Sequence, residues 1–197
     1  MPHKISHSRV AGAHREPEKV SWSVPSLHPW TGYLRDGQSI LVRPACGDDA
    51  PLERDFVRRL TPEVFDQCSL GLIQPDRDEL VRELVRMDVS HDMGLLGLVE
   101  VNGQQTLVGL ARFRGDPQRT RCDCTVAVDP LWRERGVGSI LMHHLIGIAR
   151  MRGIRKMFAV DAFRDAGAHA LARRLGFRPC PDPDDPAAVT FELELQA

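Results

Sequence analysis

The sequence predicts one mixed α/β domain whose front half is antiparallel. Three observations predict it. Helical apolar stripes open the chain's regular part, two extended apolar runs meet at Asn102-Gly103, and a strand at Arg121 to Val128 passes through a short glycine turn into a helix. In order, Met1 to Gln38 carries Pro2, Pro17, Pro25 and Pro29 with no sustained apolar period, so residues 1–38 read as an irregular N-terminal extension and residues 39–197 as the domain. Ile40, Leu41 and Val42 make a first strand. Asp48 or Asp49 can cap a helix with Pro51 in its first turn and Leu52, Phe56 and Leu60 on one face. A second helix starts near Asp76 and turns Leu80, Leu84 and Met87 inward. Leu95 to Val101 and Thr106 to Arg114 flank the Asn-Gly turn as a hairpin, and Arg121 to Val128 follows as a strand. Helix (Ser139 to Arg152), strand (Lys156 to Val160), helix (Ala166 to Leu175) and a last strand near Val189 to Leu195 complete the order.

Composition narrows the function. The chain has 197 residues and 22.1 kDa, with 42% apolar and 27% charged residues, the balance of a globular domain with one core. A net charge of -1 gives no electrostatic reason to bind nucleic acid or an anionic membrane. No apolar stretch approaches the roughly 18 residues that span a bilayer. Five cysteines, without a CxxC pair, argue against a disulfide framework and a thiolate metal site, so no metal is expected. Met1 to Ser8 has no apolar core of a secretory leader, and a cytoplasmic location is the expectation. Trp22, Trp30 and Tyr33 are unusual for a solvated tail and suit docking on the domain or on a second copy of the chain, as in a homodimer.

The chemistry concentrates in Val126-Ala127-Val128-Asp129-Pro130-Leu131-Trp132-Arg133-Glu134-Arg135-Gly136-Val137-Gly138-Ser139. Gly136 and Gly138 permit close backbone approach, the unpaired amides of the next helix point outward with the positive end of its dipole, and Arg133 and Arg135 add charge. Such a turn suits a pyrophosphate. A P-loop fails, because no lysine follows either glycine, and a dinucleotide fingerprint lacks its third small residue where Leu141 stands.

Arg133-x-x-Gly136-x-Gly138 resembles the acyl-CoA pyrophosphate loop of the GNAT superfamily of N-acetyltransferases. Leu107-Val108-Gly109-Leu110-Ala111-Arg112 upstream, Ala149 to Ile154 downstream, and Ala172-Arg173-Arg174-Leu175-Gly176-Phe177 near the end resemble that superfamily in order. Val42-Arg43-Pro44 with Asp49, Arg59-Leu60-Thr61-Pro62 and Val85-x-Met87-Asp88 resemble the bacterial protein lysine acetyltransferases. The resemblance covers about Ile40 to Leu195. It implies the GNAT fold, a mixed central sheet flanked by helices. It also implies acetyl-CoA as co-substrate, its pantetheine arm against the backbone of Val126, Ala127 and Val128 and its pyrophosphate on Arg133, Glu134, Arg135, Gly136, Val137, Gly138 and Ser139. Asp165 occupies a position near the last helix where many relatives have asparagine.

In the lysine acetyltransferases a glutamate on the cofactor strand is the general base, and Asp123 stands at that position. A lysine of pKa about 10.4 must lose its proton at a cost of about 4.6 kcal/mol at pH 7 before its nitrogen attacks. A carboxylate can accept that proton, and the shorter aspartate calls for a bridging water. Ala172 replaces the tyrosine with which small-molecule acetyltransferases protonate the departing thiolate. The implied activity is acetyl transfer to a protein lysine, with acyl-CoA synthetases as acceptors. Two alternatives stay open: a non-catalytic acyl-CoA-binding regulator, and an acetyltransferase of small amines. Glu100 beside the Asn-Gly turn could help admit a cationic lysine or be solvated. His143-His144 read as structural or exposed, and Pro181 to Pro186 as a rigid acidic loop.

Overall fold

The computed structural model describes residues 28–62, 64–65, 76–85, 90–118, 120–159, 166–181 and 189–195. Eight strands form one sheet: β1 (Trp30–Tyr33), β2 (Ser39–Pro44), β3 (Asp92–Val101), β4 (Gln104–Gly115), β5 (Arg121–Val128), β6 (Lys156–Ala159), β7 (Arg178–Pro181) and β8 (Val189–Glu194). Their spatial order is β1-β2-β3-β4-β5-β6-β8-β7. Every neighbouring pair is antiparallel except β5 and β6, which the helix α3 (Val137–Met151) connects. The other helices are α1 (Ala50–Arg59), α2 (Arg77–Val85) and α4 (Ala166–Arg174).

Alternation along the strands sends side chains to two cores. On one face Phe56 and Val57 of α1, Leu60 just after it, and Leu80, Val81 and Leu84 of α2 pack on Leu96, Leu98, Leu110 and Ala127. On the other face Leu141, Leu145 and Ile148 of α3 and Ala172 of α4 pack on Leu95, Ala111, Cys122, Cys124 and Phe191. The hairpin is longer than the two runs that predict it, and both turn residues, Asn102 and Gly103, have positive φ as a two-residue turn requires. Close packing of α3 depends on Gly109. A Cβ there would lie 2.5 Å from Val137 Cγ1 and 2.9 Å from Leu141 Cδ1.

Three expectations change. The sheet begins at Trp30, inside the stretch read as irregular, because Trp30 to Tyr33 pair in register with Val42 to Ser39 and Trp30 stacks on His144 of α3 at 4.5 Å. Trp22 lies outside the described residues. Residues 178–181, of which the sequence reading places only Pro181, in the acidic loop, form the edge strand β7. Its prolines, Pro179 and Pro181, are tolerated there because an edge strand need not donate on its outer side. Asp49 stands at the start of α1 but its carboxylate does not cap it; it accepts from Arg43 at 2.7 and 2.5 Å and from the Cys46 N–H at 2.8 Å. Those three hydrogen bonds join β2 to the turn before α1.

Candidate active site

After β5 the chain makes a short 3-10 turn, Pro130–Trp132, that Asp129 begins by accepting from the Leu131 N–H at 3.0 Å. Gly136 then starts α3 with a φ of 99°, a conformation that glycine alone adopts without strain. The amides of Val137, Gly138 and Ser139 follow in the first turn, where no helical carbonyl is available to them. They open on a cleft of about 550 Å³. Arg133, Glu134 and Gly136 to Ser139 form one wall, Gly167, Leu171 and Arg174 of α4 face them, and Val126 and Val128 make the floor.

The floor is open because β5 and β6 part company. Their parallel pairing runs from Arg121↔Lys156 to Cys124↔Ala159 and stops, so Thr125 to Val128 have β4 on one side and no described strand on the other. A strand edge of this kind can hydrogen-bond an extended ligand. Val126 and Val128 face the cleft, while Ala127 is buried in the opposite core, so its contribution to a ligand is restricted to main chain. A smaller apolar cavity of about 50 Å³ continues past Val126, between Cys124, Met142, Ala159 and Ala172.

Asp123 sits one pair before the strands separate, on the face of α1 and α2, across the sheet from the cleft. Its side chain keeps open surface, yet the atoms packed around it raise its carboxyl above the usual range, against the pull of Arg121 and Arg114. Arg114 is its cross-strand partner on β4 and also reaches Glu83 of α2 at 3.4 Å and Asp92 at 3.9 Å. Arg121 lies over the Phe158 ring at 4.7 Å. Deeper on this face, Glu53 of α1 is 1% exposed and its Oε2 has no hydrogen-bond partner among the described residues. Burial, aided by the Asp49 carboxylate, pushes Glu53 up to about 7 against the attraction of Arg112 and Arg43.

One ion pair joins the two sides. Arg59, the last residue of α1, donates to Asp129 at 2.6 Å and to the Leu107 carbonyl at 2.7 Å, so the helix bordering Asp123's face holds the first residue of the cleft's turn. No pattern in the sequence pairs residues 59 and 129. Val64, just beyond α1, closes the cleft at that end.

Arg133, Glu134 and Gly136 to Ser139 line the cleft as expected, but Arg135 does not. Its guanidinium donates to the Asp36 carboxylate and to the Gln38 side-chain oxygen at 3.0 Å, and stacks on Trp132 at 4.0 Å. The Asp36 carboxyl is held below its usual range by the Gln38 N–H and by Arg135. Asp165 lies outside the described residues. Glu100 is eight residues along β3 from Asp92, roughly 26 Å at the strand's rise, and so belongs to the far end of the sheet from Asp123. His143 Nδ1 contacts the Ser139 carbonyl at 2.6 Å, and His144 is occupied by Trp30. Besides apolar residues and glycines, the cleft has two cations from outside the loop motif, Arg35 from the β1–β2 turn and Arg174 of α4. A basic residue beside the Trp30–Tyr33 run was the available signal for Arg35.

A family model described as the acetyltransferase (GNAT) family matches residues 57–177. The chain is 32% identical to Acetyltransferase PA5475 of Pseudomonas aeruginosa over 166 residues, covering 84% of this chain and 89% of that protein. In three dimensions it resembles the GNAT domain of S. lividans PAT, with a TM-score of 0.71, 21% identity, and coverage of 85% of this chain and 97% of that one. It also resembles the PaiA N-acetyltransferase of Thermoplasma acidophilum, solved in complex with coenzyme A, with a TM-score of 0.59, 14% identity, and coverage of 79% and 98%.

Proposed function

The chain belongs to the GNAT acetyltransferase family, and from that premise we propose that it transfers acetyl from acetyl-CoA to the side-chain amine of a protein lysine in the cytoplasm, with Asp123 as proton acceptor. Enzymes of this family are N-acetyltransferases that use acetyl-CoA. The cleft fits that co-substrate: helix-start amides and Arg133 suit a diphosphate, glycine at 136 supplies the positive φ that starts the helix there, and the floor beside the parted strands suits an extended arm. When bound, acetyl-CoA supplies an activated acyl group as a thioester. Gly136, Val137, Gly138 and Ser139 would hold its diphosphate, and the main chain of Thr125 to Val128 would orient the arm.

The observation that carries the reading is the position of Asp123. It is a carboxyl open to solvent on the side opposite the cleft, at the point where the sheet parts. An amine approaching from the α1 and α2 side would meet it before reaching the gap. Raising a carboxyl's pKa strengthens it as a base once ionised, which narrows the mismatch with an ammonium group. An aspartate's reach suits transfer through one water. Ala172, beside the smaller cavity, can provide no proton to a departing thiolate, and with a conjugate pKa near 8.5 that leaving group can take its proton from water.

Acetylation of a lysine peptide or a purified acyl-CoA synthetase, against free small amines, tests the acceptor class. Asp123→Asn is expected to lower kcat at least about a hundredfold while the Kd for acetyl-CoA stays put, and Asp123→Glu to keep most of the rate. An Asn variant with wild-type rate and an unchanged pH profile removes Asp123 from the mechanism. Turnover confined to free amines replaces the protein acceptor with a small one.

A further inference from the structure

The hairpin that opens the sheet brings an arginine to the cleft from a hundred residues away. Arg35 donates its backbone N–H to the Arg135 carbonyl at 3.0 Å and its Nη1 to the Glu134 carbonyl at 3.0 Å. Its stem passes over the start of α3, where a Cβ built on Gly136 would lie 3.7 Å from Arg35 Cγ. The same turn fastens itself a second time, through Asp36 and Gln38 to the Arg135 side chain. The result is an exchange of charges. Asp36 neutralises Arg135 away from the cleft, and Arg35, one residue earlier, lines the cleft in its place.

We propose that Arg35 is a phosphate-binding residue of this site, carried by the β1–β2 turn to the diphosphate of the acyl-CoA nucleotide half. The inference rests on the acyl-CoA reading of the cleft. A guanidinium has five N–H donors in a rigid fork that matches phosphoryl oxygens. Among the described residues one of Arg35's side-chain donors is used, on the Glu134 carbonyl, and that bond fixes the group beside the amides of Gly136 and Val137. Diphosphate bound on those amides would sit under a cation already oriented for it, so little side-chain entropy remains to be lost. Arg174 on the facing wall closes the other side of the same space. The hairpin is then part of the binding site, and Asp36 and Gln38 are positioning residues for Arg35.

Calorimetric Kd values for coenzyme A and for dephospho-coenzyme A, measured on the wild type, Arg35→Ala and Arg35→Lys at two ionic strengths, test it. Loss of a charge-assisted contact predicts about tenfold weaker binding of both ligands to Arg35→Ala, a shallower salt dependence, and partial recovery in Arg35→Lys. Arg54→Ala, which removes an exposed charge from α1, should leave both values unchanged. Equal Kd values for wild type and Arg35→Ala overturn the proposal. A loss confined to coenzyme A overturns the diphosphate assignment, since it would put Arg35 on the 3′-phosphate. Weakened binding together with a lower melting temperature of the ligand-free Ala and Lys variants overturns it as well, because the residue would then act through the fold. If the wild type binds neither ligand, it is the acyl-CoA reading of the cleft that fails.

Discussion

Above β5, on the side of α3 and α4, the site is built around main chain, with helix-start amides, a glycine at positive φ and a strand edge that has no strand beside it among the described residues, and Arg35, Arg133 and Arg174 stand around that frame. Below β5, on the side of α1 and α2, it is made of side chains from separate segments. Arg114 comes from β4, Asp123 from β5, Glu53 from α1 and Glu83 from α2. Main-chain geometry is set locally and tolerates many side chains. Side chains brought together from separate segments depend on their neighbours: Arg121 and Arg114 pull the Asp123 carboxyl down against burial, and Asp49 adds to the burial that raises Glu53. The first side is therefore suited to holding one ligand rigidly, while the second, the proposed acceptor side, is open to tuning by single substitutions.

The largest expected effect comes from cutting the tie between them. Asp129 is 2% exposed, and Arg59→Ala leaves it with only the Leu131 N–H. Removing one member of a buried ion pair typically costs about 3 to 4 kcal/mol. Arg59→Ala should lower the unfolding free energy by about that amount, measured by urea titration, and weaken coenzyme A binding because the turn before α3 loses its anchor. If stability falls and coenzyme A affinity does not, the two sides are mechanically independent and the comparison stands without a link.

How legible each side was follows from the same distinction. The loop at 133–139, the helix after it and the strand before it were readable because glycine, helix-start amides and strand periodicity act over a few residues. β1 was not, since Trp30 to Tyr33 gain their pairing only from β2 and their packing from His144. β7 was obscured by its prolines, which are ordinary at a sheet edge but argue for a loop in sequence. Arg133 and Arg135 look equivalent in the motif, and only Asp36 and Gln38, about a hundred residues earlier, turn the second away. Glu53 follows Leu52 by one position on α1, and the apolar stripe Leu52, Phe56, Leu60 gave no reason to bury it. In the fold Glu53 is more buried than Leu52, because Arg43 and Arg112 stand beneath that part of the helix.

Glu53 gives the next effect in size. Its folded pKa, about 7, exceeds its ordinary 4.5, so the folded protein keeps a proton that the unfolded chain releases between those values. Stability contributed this way is present below pH 4.5 and is lost as pH rises toward 7, an amount of about 2 to 3 kcal/mol. Glu53→Gln mimics the protonated form. The variant should match the wild type near pH 4.5, exceed it at pH 8, and show a flatter stability curve across the interval. Parallel curves for the two proteins would mean that Asp49, Arg43 and Arg112 leave Glu53 titrating normally.

Arg114 gives the smallest effect and the most direct view of the acceptor side. Its guanidinium, 46% exposed, lowers the Asp123 carboxyl that burial raises. Arg114→Ala removes that attraction and takes one positive charge away from Glu83 and Asp92, so the changes push Asp123 in one direction, upward. In the proposed mechanism the active form of Asp123 is the carboxylate. The acid limb of the kcat profile should therefore move to higher pH in Arg114→Ala, while the rate on its alkaline plateau changes little. An exposed pair is worth under about 1 kcal/mol, so the displacement is small and should shrink as salt is added. Coenzyme A affinity, which we propose depends on the amides and Arg35 across the sheet, should not follow it. A limb that moves to lower pH would mean that a group other than Asp123 accepts the proton, and an affinity change of similar size would mean that charge on one face of β5 is felt on the other.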